Sequence, residues 1–91
     1  MVWYLYIAKC KDDSLYTGIT KDLKRRIWEH NNDNSLGSKY VRYRRPVKLI
    51  YFEKFESQTK AAKRERIIKS WTRKYKLKLI EKFEGLSNTV K

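Results

Sequence analysis

The sequence predicts a small α+β domain with its elements in the order ββαβαα. Two runs rich in aromatic and β-branched residues, Val2 to Lys9 and Leu15 to Thr20, are separated by the polar turn residues Lys11, Asp12, Asp13 and Ser14, which is the pattern of a hairpin. A third such run, Val47 to Phe55, stands between two segments of helical periodicity. The chain's 91 residues suffice for one hydrophobic core and not for two. Residues 1–84 are therefore read as one domain, with 85–91 as a short polar tail.

Val2 to Lys9, VWYLYIAK, shows no polar alternation, so the first strand is expected to be covered on both faces. The loop after it decides which side chains meet, because a slip of one residue turns a side chain to the other face. With only Asp12 and Asp13 in the loop, Tyr6 would pair opposite Ile19, leaving Tyr6 and Tyr16 on opposite faces. An odd loop, such as Lys11 to Asp13, puts Tyr6 opposite Gly18 and makes the two tyrosines diagonal neighbours on one face. Thr20 is the expected N-cap of the next helix, Asp22 complements the positive end of its dipole, and Leu23 and Ile27 form its core stripe. Arg26 and His30 flank that stripe one turn apart. Lys24, Arg25 and Glu29 are expected in solvent, and the stretch from Asn31 to Asn34 ends the helix.

Leu36 to Arg45, LGSKYVRYRR, interleaves cations with aromatics. It reads either as a solvated loop with packed tyrosines or as a loop that meets a phosphate backbone and stacks on bases. Pro46 leads into the third strand. Ser57 is the expected cap of a helix from Gln58 to Ser70, and Thr72 of a last helix ending near Phe83, with Gly85 as its stop. Between Lys60 and Lys78 stand nine cations and one acid, Glu65. That carboxylate either pairs with Lys69 one turn later or points inward and binds a divalent cation that bridges to phosphate.

Charge narrows the function classes. Lys and Arg number 23 against 10 acids, for a formal net charge of +13, a field that attracts polyanions: nucleic acid first, an anionic membrane surface second. The single cysteine, Cys10, allows no internal disulfide, and no Cys or His residues show zinc-ligand spacing, which fits a reducing cytoplasm. The apolar run from Val2 to Ala8 is flanked neither by a basic segment nor by a small-residue cleavage site, and it is far short of a membrane span.

Several of these features stand in a set order. Tyr4-Leu5-Tyr6 is followed ten residues after Tyr6 by Tyr16-Thr17-Gly18, and Arg26 comes ten residues after Tyr16. Next come His30-Asn31, RRPVKLIY and the AAKRERIIKSWTRKYK block that carries Glu65. The set resembles the GIY-YIG nuclease superfamily, and in particular its small single-domain bacterial members. It departs from the pattern at Tyr4, which stands where the opening triplet begins with glycine. The resemblance implies a three-stranded antiparallel sheet flanked by helices, and a metal-dependent endonuclease cleaving DNA phosphodiesters with one Mg²⁺ or Mn²⁺ ion, in DNA repair or processing. On the matching positions it implies Tyr6, Tyr16, Arg26 and His30 as catalytic residues and Glu65 as the metal ligand.

Those side chains suit the chemistry. Phosphodiester hydrolysis needs an activated water, a stabilised pentacovalent anion and a neutralised leaving oxygen. A free phenol titrates at a pH of about 10, so Tyr6 or Tyr16 serves as a base only where cations favour the phenolate. Arg26 is expected at the scissile phosphate, His30 at a tyrosine or the phosphate, and Glu65 at the metal. Phosphate contacts are expected from Lys39, Arg42, Arg44, Arg45, Lys69, Arg73 and Lys74, giving a monomer that binds DNA, or RNA, with strong salt dependence and little base preference. The alternative is a nucleic-acid-binding module of the same fold that cleaves nothing. A third reading is a protein held on an anionic membrane surface by the helices from Gln58 to Phe83.

Overall fold

The computed structural model describes residues 2–36 and 39–90, with side chains through Lys82. Positions 37 and 38 of the cation-rich segment and 91 of the tail lie outside the described residues. Strands β1 (Trp3–Lys9), β2 (Leu15–Thr20) and β3 (Lys48–Phe55) form one antiparallel sheet in the order β2-β1-β3. Helices α1 (Leu23–Asn32) and α2 (Lys39–Arg42) precede β3, and α3 (Gln58–Lys69) and α4 (Arg73–Val90) follow it. The ββαβαα order is thus observed, with α2 as one added turn of helix.

Central β1 is buried without a break from Leu5 to Ala8, because the sheet is covered on both sides. Leu5 and Ile7 pack with Tyr51, Ile68 and Ile80, which ties one face to α3 and α4. Tyr6 and Ala8 pack with Cys10, Val41 and Val47, and Leu23 and Ile27 of α1 close over them. Alternate residues of one strand therefore serve two half-cores, and the second half contains the tyrosines of interest.

The hairpin has the register that brings those tyrosines together. Tyr6 pairs opposite Gly18, and Lys9 opposite Leu15. The connecting loop has the odd parity: its Cys10 N–H donates to the Ser14 carbonyl at 2.9 Å, and its Asp13 N–H to the Cys10 carbonyl at 3.0 Å. Asp13 takes a φ of 68°, a region that aspartate enters more readily than most residues. On the other side of β1, Ile7 pairs with Tyr51 and Ala8 with Leu49, so Ile50 is an extra residue in a bulge. The bulge lets Tyr51 join the α3 half and Leu49 the α1 half.

Some local expectations are revised. Asp22 rather than Thr20 caps α1: its carboxylate accepts the Arg25 N–H at 3.1 Å, and the Thr20 hydroxyl in turn accepts the Asp22 N–H at 3.1 Å. The helix starts at Leu23, and a cap must stand immediately before the first turn. Glu29 is buried rather than solvated, held between Arg25 and Arg26. The cation-rich segment folds α2 around buried Val41 instead of remaining a loop. Helix α4 passes Gly85 and reaches Val90, so most of the expected tail is helical. A glycine weakens a helix by about 1 kcal/mol relative to alanine yet retains its N–H, so it need not end one. Ser57 does cap α3, accepting the Lys60 N–H at 3.2 Å. No helix among the described residues is long and apolar enough to cross a membrane.

Candidate active site

The site begins with the contact between Tyr6 and Gly18. A Cβ built at position 18 would lie 2.8 Å from Tyr6 Oη and 2.9 Å from Cζ, so only glycine leaves room for the phenol to cross from β1 over β2. From there the Tyr6 hydroxyl shares a 2.7 Å hydrogen bond with His30 Nε2 of α1. Both residues are shut away from solvent, at 1% and 0% exposure. Tyr16 completes the cluster. Its ring meets His30 edge-on with centroids 5.0 Å apart, stands 6.3 Å from the Tyr6 ring and 6.0 Å from that of Tyr40, and is only half-buried.

Arg26 lies one turn before His30 on α1. One of its terminal nitrogens donates to Glu29 Oε1 at 3.0 Å and to the Leu36 carbonyl at 2.6 Å, while Glu29 Oε2 accepts from Arg25 Nε at 3.1 Å. Glu29 thus braces the guanidinium. Charge-assisted contacts hold its own carboxyl below the usual range, first of all the hydrogen bond from Arg26.

Burial and charge set the protonation states. Burial raises the Tyr6 pKa, the neighbouring Tyr16 adds to the rise, and Arg26 opposes it, so the phenol is protonated at neutral pH. Burial, followed by the charge of Arg26, lowers His30 from 6.5 to about 4, so the imidazole is neutral. The 2.7 Å contact is therefore between two uncharged groups.

Glu65 stands on α3 and is partly buried. Its charge adds the smallest contribution to the raised Tyr6 pKa, after burial and Tyr16, and its Oε2 lies 3.3 Å from Lys69 Nζ. The ion pair read from the spacing is therefore formed. A cation already stands at this carboxylate, and a hard oxygen ligand suits a divalent ion equally. No group of three or more His, Cys, Asp or Glu among the described residues could hold a metal. An ion at Glu65 would take one protein carboxylate and complete its shell with water and phosphate oxygens, as Mg²⁺ commonly does.

The expected phosphate contacts divide into two groups. Arg42 donates to the Asn34 carbonyl at 2.6 Å, and Arg44 donates to the Tyr40 carbonyl at 2.7 Å while covering the Tyr40 ring at 4.1 Å. Arg45 donates to the His30 carbonyl at 2.6 Å, to Asn34 Oδ1 at 3.0 Å and to the Asp33 carbonyl at 3.3 Å. These three arginines hold the backbone that follows α1. Lys39, Lys69, Arg73 and Lys74 are exposed. Lys69 lines a cleft of about 250 Å³ together with Tyr16, Tyr40 and Lys76. Arg73 instead lines a separate cavity of about 480 Å³ with Lys9 and Lys48, and that cavity contains none of Tyr6, Tyr16, Arg26, His30 or Glu65.

Sequence reasoning missed Glu29, Tyr40 and Lys76. The spacing of Glu29, three and four residues after two arginines, signals the ion pairs but not their burial. Tyr40 lay in the cation- and aromatic-rich segment, but nothing in the sequence paired it with Tyr16, and Lys76 had no signal, because only the tertiary fold brings α2 and α4 to the edge of β2.

This geometry can be set beside known proteins. The GIY-YIG catalytic domain family matches residues 2–78 of the chain. The chain belongs to the GIY-YIG family. Its relatives there include UPF0213 proteins. One from Staphylococcus saprophyticus is 54% identical over 77 residues, covering 85% of this chain and 92% of the relative. Another from Clostridium perfringens is 57% identical over 77 residues, covering 85% and 81%. The solution NMR structure of a UPF0213 protein from Bacillus halodurans matches with 40% identity and a TM-score of 0.57, covering 89% of this chain and 84% of that one. A second NMR structure, from E. faecalis, matches with 41% identity and a TM-score of 0.63, covering 92% and 88%. At Tyr4, where the chain departs from the opening triplet of the GIY-YIG pattern, the ring packs edge-on against Phe52 with centroids 5.9 Å apart.

Proposed function

We propose that this GIY-YIG protein is a metal-dependent endonuclease that hydrolyses phosphodiesters of DNA. The observation that carries the reading is the convergence of Tyr6, Tyr16 and His30 within 5.0 to 6.3 Å of one another, with Arg26 beside the Tyr6 phenol. Membership of a family described as catalytic supports it, as does the net charge of +13.

Accessibility divides the roles. A general base must reach the water whose proton it takes. The Tyr6 oxygen is enclosed by Gly18 and His30, whereas half-buried Tyr16 borders the cleft. Tyr16 therefore accepts the water proton, and the neutral Tyr6–His30 pair fixes the position of its ring. Arg26, held by Glu29 and the Leu36 carbonyl, meets the scissile phosphate and stabilises the charge of the pentacovalent anion. Glu65 would hold a Mg²⁺ or Mn²⁺ ion, which would supply Lewis-acid stabilisation of the phosphoryl oxygens.

A nicking assay on supercoiled, branched and single-stranded DNA tests this. Cleavage is expected with Mg²⁺ and is abolished by EDTA, by Arg26→Ala and by Glu65→Gln. The Tyr16→Phe protein loses about 100-fold or more, the usual contribution of a general base. Binding without cleavage on every substrate would instead establish a non-catalytic nucleic-acid-binding module.

A further inference from the structure

Glu65 and Lys69 form an unequal pair. The carboxylate side chain is 23% exposed and the lysine 53%, so a partly enclosed anion faces a cation on a long, mobile stem. Lys69 also lines the cleft that contains Tyr16, Tyr40 and Lys76. Lys69 thus stands beside both the carboxylate and the cleft that Tyr16 lines. The Glu29 pairs offer no such exchange, because two arginines bracket that carboxylate where it is buried.

We propose that Lys69 is a resident counter-ion of Glu65 that a divalent ion must displace, and that a substrate phosphate takes up the displaced ammonium, so that metal and nucleic acid bind cooperatively. The proposal rests on the reading of Glu65 as the metal ligand. The ammonium stands 3.3 Å from Glu65 Oε2, whereas Mg²⁺ binds its oxygens at about 2.0–2.1 Å, so both cations at one carboxylate would repel each other at close range. In the absence of nucleic acid, the lysine can leave only into solvent. A phosphodiester in the cleft gives it a second anion to pair with. By linkage, whatever draws Lys69 from Glu65 strengthens metal binding by the same factor as metal strengthens nucleic-acid binding.

Titration with Mn²⁺, followed through the EPR signal of the unbound ion, tests the coupling with and without a short oligonucleotide. The Tyr16→Phe background preserves the oligonucleotide, and the Glu65→Gln protein supplies the background of Mn²⁺ bound to the oligonucleotide itself. In the parent, the oligonucleotide is expected to tighten Mn²⁺ binding by about threefold to tenfold. Lys69→Met should bind Mn²⁺ tighter by a similar factor without nucleic acid and gain little on its addition, whereas Lys69→Arg should retain the coupling. If Lys69→Met binds no tighter than the parent while Glu65→Gln binds nothing, the counter-ion role is overturned and the metal ligand stands. If Glu65→Gln binds Mn²⁺ as well as the parent, the metal ligand itself is refuted, and the proposal with it.

Discussion

The Tyr6–His30 pair gives single residues measurable consequences. His30 titrates near 6.5 when unfolded and at about 4 in the folded protein, where burial disfavours the charged imidazolium. Between those values the unfolded chain binds the extra proton, so stability falls as pH drops from about 6.5 to about 4 and levels off below. The full shift corresponds to about 3 kcal/mol, an order-of-magnitude figure. Denaturant unfolding at pH 7 and pH 4.5 should show most of this loss in the wild-type protein, and His30→Gln should flatten the dependence in that interval. A variant with an unchanged slope would mean that another group titrates there. Gly18 makes a second prediction. Because the Tyr6 ring is walled in, the added methyl of Gly18→Ala cannot be avoided by a simple swing of the phenol. Overpacking of this kind costs about 1–3 kcal/mol, and the displaced hydroxyl should also lose its bond to His30. Thermal unfolding and cleavage measured on the same preparation should fall together.

At the scale of elements, α1 is held to the residue that leads into β3 by a side chain that imitates a strand. Asn31 Nδ2 donates to the Val47 carbonyl at 3.0 Å, and its Oδ1 accepts the Val47 N–H at 2.7 Å. Asn31→Ala would leave the N–H of buried Val47 without a partner, a loss of about 1–3 kcal/mol. Since Asn31 directly follows His30, cleavage should weaken as well. Chemical denaturation checks the first effect and the nicking assay the second, and an unchanged midpoint would remove the brace from the account. Much of this arrangement was legible beforehand. The apolar run of β1 signalled a strand covered on both sides, and loop parity tied the meeting of Tyr6 and Tyr16 to the pairing of Tyr6 with Gly18. The burial of Glu29 was not legible. An acid three and four residues from two arginines looks the same on a solvated face, and Glu29 is recognised as a brace only once Arg26 also meets the Leu36 carbonyl. The N-cap was misplaced for a related reason: Thr20 and Asp22 are both good capping residues, and hydrogen-bond geometry rather than residue type chooses between them.

For the whole molecule, the net charge of +13 is distributed between structure and surface. Arg42 and Arg45 hold backbone carbonyls around the end of α1, while Lys39, Lys69, Lys74 and Lys76 lie on α2, α3 and α4. Substitutions in the two groups should therefore fail differently. The affinity of a protein for duplex DNA falls with salt at a logarithmic slope of about −0.9 per phosphate neutralised, and for single strands of about −0.7. Lys74→Met, if its ammonium meets a phosphate, should reduce that slope by about one contact while leaving the unfolding midpoint unchanged. Arg45→Met should lower the midpoint, because the carbonyls of His30 and Asp33 lose their donor in a partly buried place. Binding measured by fluorescence anisotropy across a salt series, with thermal unfolding in parallel, separates the two. Were Lys74→Met to leave the slope at its wild-type value, the start of α4 would lie off the path of the nucleic acid, and the phosphate backbone would have to be carried by α2, α3 and the cleft beside Tyr16.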